Sequence, residues 1–229
     1  MARSSLFYSA LAATVFVGIA AAQPASASPP ANWDGLVQVR AKNVDLLYLR
    51  PGSDFRSYKA IILDPTEIAF DKNWKKDMNR SRPGLSRISD ADVRGAIDEA
   101  QGKLRAIFEK RFSETGFPIV SAPAENALRV FVGVANVQVD APDVTSAGRS
   151  RVYSRQAGRA TLVIEVRDSL SGELLGRAVD HGVAGDNLMS WRTSTSNWAD
   201  FEQMFDEWAR ISAKGFQRLL ASPPPVAAQ

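Results

Sequence analysis

The chain has 229 residues, 45% of them hydrophobic and 23% charged, with a formal net charge of +3, one histidine and no cysteine. That composition is ordinary for a folded domain, and the charge is far below the excess of proteins that hold duplex nucleic acid through its phosphates. The missing cysteine excludes disulfides, a thiolate nucleophile, a thiolate metal site and the lipobox of a bacterial lipoprotein.

In chain order, Arg3 precedes an apolar run from Leu6 to Ala22, and small residues then lead to Ala25-Ser26-Ala27. A positive start, a short apolar stretch and an A-x-A site make a secretory signal peptide. The run is short for a bilayer span, which needs roughly 20 residues. Cleavage is expected after Ala27, with Ala22 as the second choice and a retained anchor as the rival. The protein is then periplasmic or secreted.

The expected organisation is a leader over residues 1–27, a Pro- and Ala-rich linker over 28–34, one domain over 35–221 and a proline-stopped tail over 222–229. Leu36 to Leu49 alternates apolar and polar residues as one or two strands, ended by the turn Pro51-Gly52. Tyr58 to Phe70 reads as a strand interrupted at Asp64-Pro65, where the proline removes a ladder donor and implies a bulge or an edge. Asp71 to Arg87 is polar and basic and reads as a long loop. Ser89 is placed to cap a helix, with Asp92 three residues on. Val93, Ile97, Ala100, Leu104, Ile107, Phe108 and Phe112 form its stripe, and Gly116 ends it.

Ala127 to Val139 is a long strand, with Leu128, Val130, Val132 and Val134 on one face and Phe131, Ala135, Val137 and Val139 on the other. A hairpin follows, with Ala160, Leu162, Ile164 and Val166 alternating before the turn "DSLSGE". Its partner strand from Leu174 to about Val183 leaves its inward face open between Leu174/Gly176/Ala178 and Leu175/Arg177/Val179. A last helix begins at Asn197. Phe201, Phe205, Trp208, Ser212, Gly215 and Leu219 make its row, broadened by Trp198, Met204, Ile211 and Phe216. The expected fold is α+β, an antiparallel-dominated sheet with two helices on one face, in the order ββ-α-β-ββ-α.

Few residues suggest chemistry. His181 lies beside Asp180, but neighbours on a strand point to opposite faces, and no G-x-S-x-G turn supplies a serine. Asp64, Glu67 and Asp71 are candidate paired carboxylates, with Asp64 opposite Glu67 unless the proline bulge realigns them. No catalytic residue, metal ligand or cofactor loop is assigned. Met189 and Trp191 form a possible contact patch after "GDN". The stretch "SAGRSRVYSRQAGR" carries Arg149, Arg151, Arg155 and Arg159 without an acid. Arg149, Arg151, Tyr153 and Arg155 share one face if the segment is extended, and they suit an anionic group or a partner. A solvated, charge-protected edge loop is the competing reading.

The phrases "YLRPGSDFRSYKAIILDPTEIAF", "APDVTSAGRSR", "DSLSGELLGRAVDHGVAGD" and "NWADFEQMFDEWA" resemble a bacterial family known as domain of unknown function 3313, over nearly everything from Gly35 to Leu220. The resemblance implies an exported cell-envelope protein, often with a lipoprotein signal, and no assigned enzymatic activity. This chain departs from the pattern in lacking the lipobox cysteine. The functional expectation is therefore a non-enzymatic periplasmic binding module for an envelope protein or an anionic envelope component, without nucleic acid. The alternative is a periplasmic hydrolase using Asp64, Glu67 or His181. N-terminal sequencing of the exported protein is expected to start at Ser28; an intact Met1 would overturn the leader assignment.

Overall fold

The structure, a computed structural model, describes residues 29–80, 84, 87–140, 153–154, 156–185, 190–191 and 194–223. The leader and both cleavage sites lie outside them. The sheet is organised around β6 (Ala127–Val139), its longest strand. β6 pairs antiparallel with β8 (Gly158–Asp168), which pairs antiparallel with β9 (Leu174–Ala184). Beyond β9 come β3 (Leu46–Leu49), β2 (Leu36–Val39) and β1 (Asn32–Trp33), all antiparallel. On the other side of β6 lie β4 (Ala60–Leu63) and β5 (Glu67–Phe70), both parallel to it and sharing one lane. A parallel neighbour needs a crossover connection, and α1 (Trp74–Arg80) and α2 (Asp90–Ser113) provide it. α3 (Ser194–Ala221) closes the described chain.

The expected α+β fold is thus corrected in its helices. The sheet is mixed, mostly antiparallel and eight-stranded, but among the described residues there are three α-helices instead of two. The additional helix is α1, inside the segment read as a loop. Its seven residues carry only Trp74 and Met78 at helical spacing, too little for a periodic signal. Tertiary contacts hold it instead. Trp74 stacks on Phe70 at 4.4 Å and its indole N–H donates to the Val139 carbonyl at 3.2 Å. The buried Asn79 amide donates to the Ile88 carbonyl and accepts from the Ile88 N–H, at 2.9 and 2.8 Å.

α2 starts as its sequence dictates. Ser89 accepts from the Asp92 N–H at 3.1 Å while the Asp92 carboxylate accepts from the Ser89 N–H at 2.8 Å, a complete capping box. Leu104, Phe108 and Phe112 are buried, and Gly116, at φ 81°, turns the chain out.

Three irregularities decide which side chains face the helices. Between Leu63, opposite Val130, and Glu67, opposite Gly133, the edge lane has one residue more than β6, at the Asp64-Pro65-Thr66 break. In β6 an extra residue falls between Ala135 and Gln138, and Asn136 has φ 52°. Val137, expected on the face opposite Leu128 and Val130, therefore joins them in the main core, with Val139 packed beside it. In β9, Arg167 pairs with Leu174 but Val166 with Gly176. Leu175 thereby enters the main core and Leu174 a small cluster on the far face. Past this bulge, Gly176, Ala178, Asp180, Gly182 and Ala184 line the helix face of β9, and Arg177, Val179 and His181 the far face.

α3 covers the helix face with Phe201, Met204, Phe205, Trp208, Ala209, Ala213, Phe216 and Leu220, all buried. Burial of each large side chain contributes about 1.5–3 kcal/mol. Its aromatics sit on small residues. A Cβ at Gly182 would lie 2.5 Å from Trp208 Cζ2 and 2.6 Å from Met204 Sδ, and one at Gly158 would lie 2.8 Å from Phe201 Cζ. Their register partners are Ala160 and Ala184, also buried. Trp208→Ala is expected to lose about 3–5 kcal/mol and Gly182→Ala about 1–3 kcal/mol by overpacking, both read as shifts of the urea midpoint. A Gly182→Ala protein of full stability would contradict the close seating.

Candidate functional site

The candidate binding residues Arg149, Arg151 and Arg155 lie outside the described residues. Tyr153 is described through its backbone, in β7 (Tyr153–Ser154), which pairs antiparallel with β10 (Ser190–Trp191). The register sets Tyr153 opposite Trp191 and Ser154 opposite Ser190. Two stretches singled out separately in the sequence thus share one two-stranded ribbon. Arg159, the fourth arginine, belongs to β8 and donates to the Gln138 side chain at 2.7 Å.

Two of the candidate carboxylates, Asp64 and Asp71, are held in structural contacts. Asp64 receives Arg129 Nη2 at 2.6 Å and Nε at 3.2 Å, while its own carbonyl accepts from Arg105 at 3.3 Å. The break at Pro65 realigns the lane, so Glu67 shares the far face with Arg129: Glu67 pairs with Gly133 and Ile62 with Arg129, and Gly133 and Arg129 lie on one face of β6. Asp71 accepts from the Asn73 N–H at 2.9 Å at the start of α1. Among the described residues no group of three or more histidine and carboxylate side chains is arranged to hold a metal ion.

His181 and Asp180 point to opposite faces, as strand alternation requires. The imidazole partner is Asp45, in the turn between β2 and β3. Asp45 Oδ2 accepts the His181 N–H at 3.0 Å and lies 2.7 Å from Nδ1. The Asp45 N–H donates to Asp180 Oδ1 at 3.0 Å, and the Trp208 indole N–H donates to Asp180 Oδ2 at 2.8 Å. Burial raises the Asp180 carboxyl above its ordinary value, against the opposing effect of these donors. Asp180, Met204, Trp208 and Ile211 line an open cleft of about 280 Å³ between β9 and α3. Asp45 orients the His181 ring as a general base is oriented, but the ring is 65% exposed to solvent. A separation of 136 residues hides the Asp45 pairing from local reading.

The far face holds a second constellation that the sequence reading missed. Arg177 is buried, with Nη2 and Nε on Glu165 Oε1 at 2.6 and 3.0 Å and Nη1 on Asp34 Oδ2 at 2.8 Å. Its guanidinium carbon lies 4.2 Å from the Trp33 ring centroid. Arg167 donates to Glu165 Oε2 at 2.8 Å. Trp33 meets the fully buried Tyr48 edge-on at 5.6 Å, and the Tyr48 hydroxyl has no hydrogen-bond partner among the described residues. Burial raises the Glu165 carboxyl, yet the hydrogen bonds from Arg167 and Arg177 outweigh it, and the net position is below the ordinary value. Asp34 and Gly35 have φ of 55° and 77°, the signature of a type I′ hairpin turn between Trp33 and Leu36. Asp-Gly was the available signal, inside and beside a stretch expected as linker.

Residues 29–211 match the family described as Protein of unknown function (DUF3313). The chain belongs to DUF3313. The match opens just ahead of β1 and ends inside α3, so it takes in Trp33, Asp34, Arg177, the arginine stretch and Trp208. No match was found among curated proteins. Several solved structures are similar. The PelC dodecamer from Paraburkholderia phytofirmans has 9% identity and a TM-score of 0.34, over 72% of this chain and 94% of that one. A Xanthomonas campestris protein of family DUF330 has 13% identity and a TM-score of 0.42, over 72% and 86%. A Helicobacter pylori protein described as a putative neuraminyllactose-binding hemagglutinin homolog has 13% identity and a TM-score of 0.32, over 75% and 93%. Likenesses this distant carry no argument about function. Among the described residues of this DUF3313 chain, no helix is long and apolar enough to cross a membrane.

The Glu165–Arg177 pair gives the DUF3313 domain a testable acid response. Because the folded-state carboxyl of Glu165 lies below its unfolded value of about 4.3, its stabilisation is present above that pH and lost as pH falls through the folded value. Glu165→Gln leaves Arg177 without its main partner and is expected to lose about 3 kcal/mol at neutral pH. Its difference from wild type should narrow at about pH 3. Urea titrations at both pH values measure this; an unchanged difference would contradict it.

Proposed function

We propose that this DUF3313 protein is an exported cell-envelope module, periplasmic or secreted, that binds and does not catalyse. Arg149, Arg151, Tyr153 and Arg155 meet an anionic group of an envelope component. The observation that carries the reading is the register of the ribbon, which sets Tyr153 opposite Trp191 within a stretch rich in arginine. Guanidinium groups recognise phosphate or carboxylate bidentately, and neighbouring aromatic residues supply stacking area. The leader pattern supports export. The pairing of Asp64 with Arg129 supports a structural role for the carboxylate that the hydrolase alternative would use.

The test uses phosphatidylglycerol vesicles, phosphatidylcholine vesicles and soluble polyphosphate, so that headgroup and polymer sources of the anion are separated. Each arginine near an anionic surface contributes about 1 kcal/mol. Replacing Arg149, Arg151 and Arg155 together with alanine should therefore weaken binding about a hundredfold. Raising salt from about 0.1 to 1 M shortens the screening length from roughly 10 to 3 Å and should abolish binding. Salt-insensitive binding, or binding unchanged in the triple variant, would overturn the proposal.

A further inference from the structure

We propose that Asp34 occupies in cis a carboxylate-binding site built by Arg177, and that the hairpin carrying it is a strap that opens to admit an acidic peptide strand. The proposal stands apart from the arginine stretch and uses other residues.

The strap is β1 with its turn. β1 is two residues long and terminates the sheet, pairing only with β2 through Trp33–Leu36 and Asn32–Val37, with one further bond from the Gln38 N–H to the Ala31 carbonyl at 3.1 Å. An edge element of that size lies at the low-stability end of a fold. Trp33 of the strap packs edge-on against Tyr48, whose buried hydroxyl has no hydrogen-bond partner among the described residues, so loosening this cluster lets water reach it. The Asp34 carboxylate is 56% exposed, so its bond to Arg177 is one that water and salt weaken.

The site beneath does not depend on the strap for its order. The Arg177 side chain, 9% exposed, is held by two bonds to Glu165, which Arg167 fixes in turn. β8 and β9, which carry these residues, lie inside the sheet. When Asp34 leaves, Nη1 is released while the guanidinium stays oriented, presenting a fixed donor to another carboxylate.

The strap itself defines the occupant. It places an aromatic ring on the guanidinium, an acidic side chain on Nη1 and a backbone strand on β2. A peptide that adds as a strand and ends in an aromatic residue followed by an acidic one in the left-handed conformation of Asp34 reproduces all three contacts. Because the site is competent only when the strap is open, apparent affinity scales with the open fraction.

The experiment uses the full chain, whose lack of cysteine leaves an introduced pair as the only one. Asn32 and Val37 are register partners, at a separation that suits a disulfide. The probe is a fluorescein-labelled, amidated peptide with the sequence of residues 29–34. Wild type and the reduced Asn32→Cys/Val37→Cys protein should bind it saturably, and oxidation should weaken binding about tenfold or more. Asp34→Asn should strengthen binding several-fold, Tyr48→Phe should weaken it several-fold without lowering the melting temperature, and a peptide with asparagine in place of its aspartate should bind about tenfold more weakly. Amides of Trp33 and Gln38 should exchange faster than those of β8. The proposal fails if wild type does not bind the peptide, if oxidation or Asp34→Asn leaves binding unchanged, or if strap and β8 amides exchange at one rate, which would mean that the strap moves only on global unfolding.

Discussion

The seating of α3 on β9 is the contact from which the rest of the domain follows. Trp208 and Met204 pack where Gly182 has no side chain, and a methyl group there would stand 2.5 Å from the indole. The helix thereby comes close enough for the Trp208 N–H to reach Asp180, a carboxylate on the apolar side of the sheet. Partial burial of that carboxylate is tolerable because both oxygens accept hydrogen bonds, the second from the Asp45 amide. Asp45 in turn holds His181 on the opposite face. One absent side chain thus links the last helix, a central strand and the turn between β2 and β3.

The two faces of the sheet solve different problems. The helix face buries Val130, Val132, Val134, Leu162 and Ile164 under α2 and α3. The far face is ordered by ion pairs, Asp64 with Arg129, Glu165 with Arg167 and Arg177, and Arg177 with Asp34, and by the hydrogen bond of Asp45 with His181. Of the ion pairs, Arg177 with Glu165 is the most withdrawn from water. A buried pair of that kind adds little net stability but is costly to break, because the remaining partner is left charged and desolvated. Of the residues whose chemistry suggested catalysis, Asp64 and His181 are partners in this network.

Local chemistry made some elements readable and not others. The capping box of Ser89 and Asp92 lies within four residues, and the apolar alternation of β6 marked both of its ends, because each signal is contained in a short window. α1 was not legible, since Trp74, Met78 and Asn79 become helix-stabilising only once Phe70, Val139 and Ile88 are in place. The hairpin at Asp34-Gly35 was legible in principle but masked by the Pro- and Ala-rich composition before it. The face of Val137 and the inward side of β9 were not legible, because a single extra residue at Asn136 or Leu175 reverses the alternation that follows.

What the sequence alone determined is what depends on neighbours along the chain: the capped start of α2, the strand β8 and the strand β6 with its alternating faces up to Ala135, the aromatic stripe of α3, and the resemblance to DUF3313. The tertiary structure decided everything that depends on counting across gaps in the chain. It paired His181 with Asp45, gave Arg177 to Glu165, Asp34 and Trp33, placed Glu67 on the face of Arg129 and set Tyr153 opposite Trp191. Each of these placements rests on strand register, and register is the sum of pleats and bulges over many residues. One bulge changes that sum by one and carries every later side chain to the other face.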